Sequence, residues 1–456
     1  MSFPRYEAYK DSGVEWLGEL PRHWSLAPIK RMFSVIGGST PKSDSENLWD
    51  GGIPWVTPAD LSQLKSIYVD ETGRTISEAG LASCGTSLVP SGSIILSTRA
   101  PIGSIAIAAM SLCTNQGCRA LVPMSHGSSI FYFFVLTSAV RELNVRGKGT
   151  TFLELSADEL ASFRVPIPPH AERSAIAAFL DRETTKIDTL VQEQQRLIEL
   201  LKEKRQAVIS HAVTKGLNPH APMKDSGVEW LGEVPKHWQI SRVKFIKAAK
   251  PNAFVDGPFG SNLKSEHYIE GGDVYVIESS FATQGTLDTE GLKTISMDHF
   301  ATIERSEAKP NDIIIAKIGA QFGKSAILPE IDRKAVVSGN SLKLTVNDTI
   351  CDNRFVCWQL VKLKQIGAID EIVNATAQPA LSLGEMNNLP ILVPSVGEQQ
   401  EIVSYLNRTL VANDALIAEA EATIALLQER RSALISAAVT GKIDVRGLAS
   451  LEAEAA

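Results

Sequence analysis

Few residue groupings in this chain have the types and spacing of a catalytic centre, and each lacks a partner its chemistry requires. Residues 319–326 read GAQFGKSA and end in Gly323, Lys324 and Ser325, as a phosphate-binding loop does. Such a loop is G-x-x-x-x-G-K-[ST], the length at which backbone amides curl around a β-phosphate. Ile318 stands where the first glycine belongs and Gly319 is one residue too late, so the stretch reads as a strand-to-strand turn. Asp256-Gly257-Pro258-Phe259 has the outline of the acidic-Pro-Pro-aromatic motif of DNA amino-methyltransferases, but Gly257 replaces the first proline. With no Rossmann-type G-x-G loop to hold a methyl donor, it reads as a flexible turn before a strand. His23 and His237 each precede a tryptophan, in PRHW and PKHW, yet no serine, cysteine or carboxylate repeats beside them as a nucleophile arrangement demands. They read as a Trp-anchored docking turn that packs a domain against a helical rod. The cysteines at 84, 113, 118, 351 and 357 are odd in number, form no C-x-x-C and have no histidine at ligand spacing, which predicts buried free thiols and no metal.

Positive charge is more informative. Residues 240–250, ISRVKFIKAAK, carry Arg242, Lys244, Lys247 and Lys250 with no acid, and Lys30 and Arg31 stand at the matching place earlier in the chain. Arg99, Arg119, Arg146 and Lys148, and further on Lys317 and Lys324, fall in predicted loops or strand ends. Loops bearing Arg, Lys, Asn and Gln can contact phosphates or base edges. The candidate DNA-binding set is therefore Lys30, Arg31, Arg99, Arg119, Arg146, Lys148, Arg242, Lys244, Lys247, Lys317 and Lys324. The formal net charge of -7 argues against grip by bulk electrostatics. Either the positive charge is local or a basic partner shares the work.

These residues sit in a chain organised by an internal duplication. Residues 10–31 (KDSGVEWLGELPRHWSLAPIKR) and 224–245 (KDSGVEWLGEVPKHWQISRVKF) are identical at 14 of 22 positions, at an offset of 214. At an offset of 226, ERSAIAAFLDR (172–182) answers EQQEIVSYLNR (398–408), and LLKEKRQAVISHAVT (200–214) answers LLQERRSALISAAVT (426–440). Between these anchors the copies have diverged, although PSGSIILSTRAPIGSIAI (90–107) still aligns with PNDIIIAKIGAQFGKSAI (310–327). Two like frames carrying unlike faces suit a protein that must hold two different targets.

The divergent stretches hold short β-rich runs: 52–61, 93–98 and 104–110 in the first, 274–280, 312–318 and 335–346 in the second. Helices are predicted near 128–144 and 352–366, giving two compact α+β domains. From Ala171 to Val213 there is no proline or glycine. Apolar residues recur there at helical spacing: Ile176, Phe179 or Leu180, Ile187, Leu190, Leu197, Leu201 and Val208, answered by Ile402, Tyr405, Leu416, Leu427 and Leu434. A single-stripe helix of some 40 residues, roughly 60 Å long, must bury that stripe, and its own copy at 397–439 is the available partner. Antiparallel packing would give the chain an approximate internal two-fold. The expected divisions are 1–168 and 216–395 for the domains, 169–215 and 396–442 for the helices, and 443–456 for a tail. With 44% apolar and 21% charged residues, no long apolar run and no signal-like start, the chain reads as a cytoplasmic globular protein with no membrane association.

SGVEWLGELPRHW and SGVEWLGEVPKHW, the helix-opening VPIPPHAERSAIAAFLD and LVPSVGEQQEIVSYLN, and the terminal ISAAVTGKIDVRG resemble the specificity subunit of type I restriction-modification systems, over almost the whole chain. The resemblance implies two target recognition domains, about 25–165 and 243–393, each reading half of a split DNA sequence, separated by the two long antiparallel, coiled-coil-like helices. It implies double-stranded DNA, two methyltransferase subunits and restriction/translocase subunits as partners. Adenine methylation and ATP-dependent cleavage, with S-adenosylmethionine, Mg²⁺ and ATP, would belong to those partners, and this chain would be no enzyme and carry no cofactor. The competing readings are a protein-interaction scaffold without sequence-specific DNA contact, and an enzyme acting on DNA alone.

Overall fold

A computed structural model of the chain describes residues 3–64, 66–99, 101–124, 128–148, 153–258, 260–373 and 379–447. They form two compact units: one comprises the chain up to Gln195 together with the segment from Glu421 onward, the other Arg196–Ala420. Two long helices, His170–Lys215 and Val396–Val439, each contribute one half to each unit. Among the described residues no helix is long and apolar enough to cross a membrane.

In unit 1 the main sheet has five strands in the order Phe33–Gly37, Cys118–Pro123, Ile94–Ser97, Ile105–Ala108 and Tyr68–Val69. Its two faces sort by the two-residue alternation of a strand. Ile94, Leu96, Ile107 and Leu121 face the helix Ser129–Ser138 and its Phe131, Tyr132 and Phe134, while Ile95, Ala106, Ala108, Cys118 and Ala120 enter a second core. A smaller sheet joins Cys113–Thr114, Trp49–Val56 and Thr75–Ile76. The run expected as one strand over 52–61 ends at Val56, because Thr57 and Asp60 form a reciprocal cap with Pro58 at the first helical position and start a helix, Pro58–Gln63. The expected helix near 128–144 is two, Ser129–Ser138 and Val140–Arg146.

Unit 2 repeats the plan. Its corresponding sheet runs Phe254–Asp256, Ser341–Leu344, Ile313–Ala316, Ser325–Ile327, and a second sheet runs Thr294–Ile295, Val274–Ile277, Lys334–Val337, Glu307–Ala308. Three backbone bonds recur at corresponding positions in both frames. The Asn115 amide donates to Val56 as that of Ser338 does to Ile277; Thr98 donates to Gly117 as Lys317 does to Asn340; Leu155 donates to Thr98 as Leu381 does to Lys317. GAQFGKSA is indeed the turn between two strands, with Gly319 and Gly323 both at positive φ. Asp256 departs from expectation: it closes the strand Phe254–Asp256, so the turn follows the strand.

Within each unit the two helix halves run antiparallel. In unit 1 Arg431 clasps Asp188 through Nε and Nη2 at 2.8 and 3.1 Å, beside Ile187, Leu434 and Ile435. In unit 2 Arg205 meets Asp414 at 3.1 Å. The two pairs join equivalent positions of the repeat. Asn413 takes the place of Ile187 and donates to the carbonyl of Leu201 at 3.2 Å. The buried stripe differs from the expected one: Leu190, Leu197 and Leu416 are exposed, whereas Thr184 is buried and bonds back to Leu180. A side chain one position off the seam rotates by about 100°, and where apolar residues crowd several faces only the partner decides which is covered.

Candidate nucleic-acid interface

The repeated PRHW and PKHW turns fix each domain to the helices. His23 Nε2 meets Glu172 at 2.8 Å and Trp24 Nε1 donates to the same carboxylate at 3.0 Å. His237 and Trp238 hold Glu398 at 3.0 and 2.9 Å in the same way. The helix ends close against the tryptophans: a Cβ on Gly441 would lie 3.2 Å from Trp24, and one on Gly216 3.2 Å from Trp238. Both glycines have positive φ, the left-handed conformation that ends a helix cheaply without a Cβ. In unit 1 Tyr6 adds a third donor to Glu172. These histidines therefore serve docking, as the sequence suggested.

Chemistry that could meet a ligand lies at the strand ends of each main sheet. In unit 1 the residues come from four separate places. Arg119 is on the strand Cys118–Pro123, opposite Gly37 and Leu96. Arg99 follows the neighbouring strand and pairs with Glu154 at 3.1 Å, whose other oxygen lies 4.0 Å from Arg119. The Asn115–Gly117 turn projects an exposed Gln116, which accepts from Thr40. Gly38 makes that junction possible, since a Cβ there would fall 2.2 Å from the carbonyl oxygens of Thr114 and Asn115. Lys148 is exposed and bonds Glu159 at 2.8 Å, holding that carboxyl below the usual range. The result is a rim of cations and amides with carboxylates set between them.

The same rim in unit 2 is built from different side chains. Asp256 stands at the ladder position of Gly37, Leu342 at that of Arg119 and Lys317 at that of Thr98. Asp256 is buried, with Lys317 Nζ at 3.0 Å and Arg305 Nη2 at 2.6 Å. Gln321, Lys324 and Asn340, which follow Lys317 in the chain, are exposed.

The candidate residues thus fall into separate groups. Arg99 and Arg119 are brought together by Glu154; Arg146 pairs with Glu142 at 3.5 Å and lies over the Phe163 ring. Lys30 and Arg31 are exposed on a short turn after the strand Ser25–Pro28; Lys244 lies in the matching turn Val243–Ile246 and donates to Asn388 at 3.0 Å, with Arg242 ending the strand before it and Lys247 just after it. Lys317 corrects the expectation of an exposed cation, because the acid placed opposite it draws its ammonium inward.

A family model for the type I restriction modification DNA specificity domain matches residues 21–200 and 260–425. The chain belongs to this family. Among its relatives, the MjaIX specificity subunit of Methanocaldococcus jannaschii is 25% identical over 95% of this chain and 96% of its own length. A chain from a solved type I R-M complex assembly shares the fold with a TM-score of 0.71 at 16% identity, over 92% of this chain and 98% of that one. The HsdS subunit of Thermoanaerobacter tengcongensis has a TM-score of 0.55 at 15% identity, over 93% and 98%. For this specificity-domain protein a reading from charge alone passed over Thr40, Asn115 and Gln116, residue types that suit base edges. Their signal was available in GGST and TNQG, where glycines flank small polar residues at strand ends.

Proposed function

We propose that the chain is the DNA sequence-specificity subunit of a type I restriction-modification complex, which recognises a bipartite sequence and docks methyltransferase and endonuclease subunits. One observation carries the reading: the two units share a hydrogen-bonded frame and differ in the side chains at its rim. Each rim takes one half-site. Arg99, Arg119, Arg146 and Lys148 serve the first and Lys324 the second, with Lys30, Arg31, Arg242, Lys244 and Lys247 contacting backbone phosphates. Lys317 organises its rim from inside. Two methyltransferase subunits bring S-adenosylmethionine and part of the grip on the duplex, consistent with the net charge of -7. Restriction/translocase subunits use ATP and Mg²⁺. The subunit itself contributes selection, in the cytoplasm, and no catalysis.

The test is selection from a random duplex library by this chain assembled with its methyltransferase partners. Enrichment of two fixed half-sites across an unspecified gap is the expected result. A complex that retains DNA without enriching any sequence is a scaffold, and the reading is then wrong.

A further inference from the structure

We infer that Arg119 is a base-reading residue of the first half-site, presenting its guanidinium to a guanine; this rests on the proposed DNA function and assigns its chemistry to one side chain. Arg119 is held on a strand bonded on both sides, the kind of rigid support that precise recognition needs. Its side chain is only 18% exposed, yet its donors are poorly used. Nε is buried without a partner, Nη1 has only the carbonyl of Cys118 at 3.4 Å, and Nη2 reaches Glu154 at the 4.0 Å limit of an ion pair. Glu154 is meanwhile engaged by Arg99 at 3.1 Å. A largely desolvated guanidinium with unfilled N–H groups is costly in the absence of an acceptor.

Two further observations show that the frame makes room for this group. A Cβ at Gly37 would stand 3.2 Å from Arg119 Nη1, so glycine there leaves the guanidinium room. At the same ladder positions unit 2 has Asp256 and Leu342, so the requirement belongs to the first rim and not to the fold. Beside it, Gln116 and Thr40 are tied to each other across the rim. Of the base edges in the major groove, guanine offers the two adjacent acceptors, O6 and N7, that a planar fork of donors fits. Glu154 engages Arg99 closely and Arg119 only at 4.0 Å, which leaves the Arg119 guanidinium loosely enough held to turn to the base.

Complexes carrying Arg119→Gln, Arg119→Lys or Glu154→Gln are compared with the unaltered complex by sequencing the duplexes each selects from a library randomised in both half-sites. Arg119→Gln is expected to lower the preference for guanine at one position of one half-site by about 10- to 100-fold, leaving the other half-site and the gap unchanged. Glu154→Gln keeps that guanine. An unchanged half-site overturns the inference, and so does a uniform fall in affinity for all sequences with a shallower salt dependence, which marks a phosphate contact. Loss of the entire half-site in both the Gln and Lys variants assigns Arg119 a structural role and also overturns it. An unaltered complex that selects no bipartite sequence removes the proposed function, and this inference with it.

Discussion

Glu172 and Glu398 sit at the third residue of their helices and answer the same His-Trp turn, but their surroundings differ. Glu172 is 5% exposed and accepts from Tyr6, His23 and Trp24, whereas Glu398 is a quarter exposed and accepts from His237 and Trp238. Removing an acceptor strands every buried donor that used it, at about 1–3 kcal/mol each. Glu172→Ala should therefore lower stability by about 3 kcal/mol or more and Glu398→Ala by about 1–2 kcal/mol. Denaturant unfolding followed by tryptophan emission measures both, and equal losses would contradict the reading. Burial also pushes the thiols of Cys118, Cys351 and Cys357 up to about 12. At pH 8 only roughly one in 10⁴ of each is the reactive thiolate. These three should resist alkylation in the native protein and react fully in denaturant, as mass spectrometry of the labelled peptides would show. Rapid native labelling of Cys357 would mean its helix opens readily.

At the scale of elements, the long helices are joined by matched polar pairs as much as by an apolar stripe. Asp188 with Arg431 and Arg205 with Asp414 are partly exposed ion pairs, so each is worth no more than about 1 kcal/mol. Together with the Asn413 to Leu201 bond they fix the register in which the halves meet. A matched seven-residue insertion in both helices preserves that register, and it should widen the unspecified gap by about three base pairs, since two helical turns add about 10.5 Å. Mapping of methylated adenines reads out the gap directly. An unchanged gap would refute a spacer role, and an insertion in one helix alone should abolish methylation by breaking the pairing.

For the whole molecule, the repeated frame implies that each rim can be replaced without touching the other. Exchanging residues 25–165 for those of another family member should change one half-site only. Methylome comparison of cells carrying the parent and the exchange would reveal this, and a change in both half-sites would contradict modular recognition. Much of this organisation is legible in the amino-acid sequence. The duplicated KDSGVEWLGE segments, the proline- and glycine-free run from Ala171 to Val213 and the Gly323 turn are local patterns, and local patterns follow from backbone preference and hydrophobic period. Sequence alone also excluded the phosphate loop, through Ile318, and the methyltransferase motif, through Gly257. What tertiary structure decided are the meetings of residues far apart in the chain. Arg119 with Gly37 and Glu154, Asp256 with Lys317, and the exposure of Leu190 against the burial of Thr184 depend on which strand or helix lies alongside. A charge written in sequence has no fixed environment until the fold sets another charge, or an empty glycine, beside it.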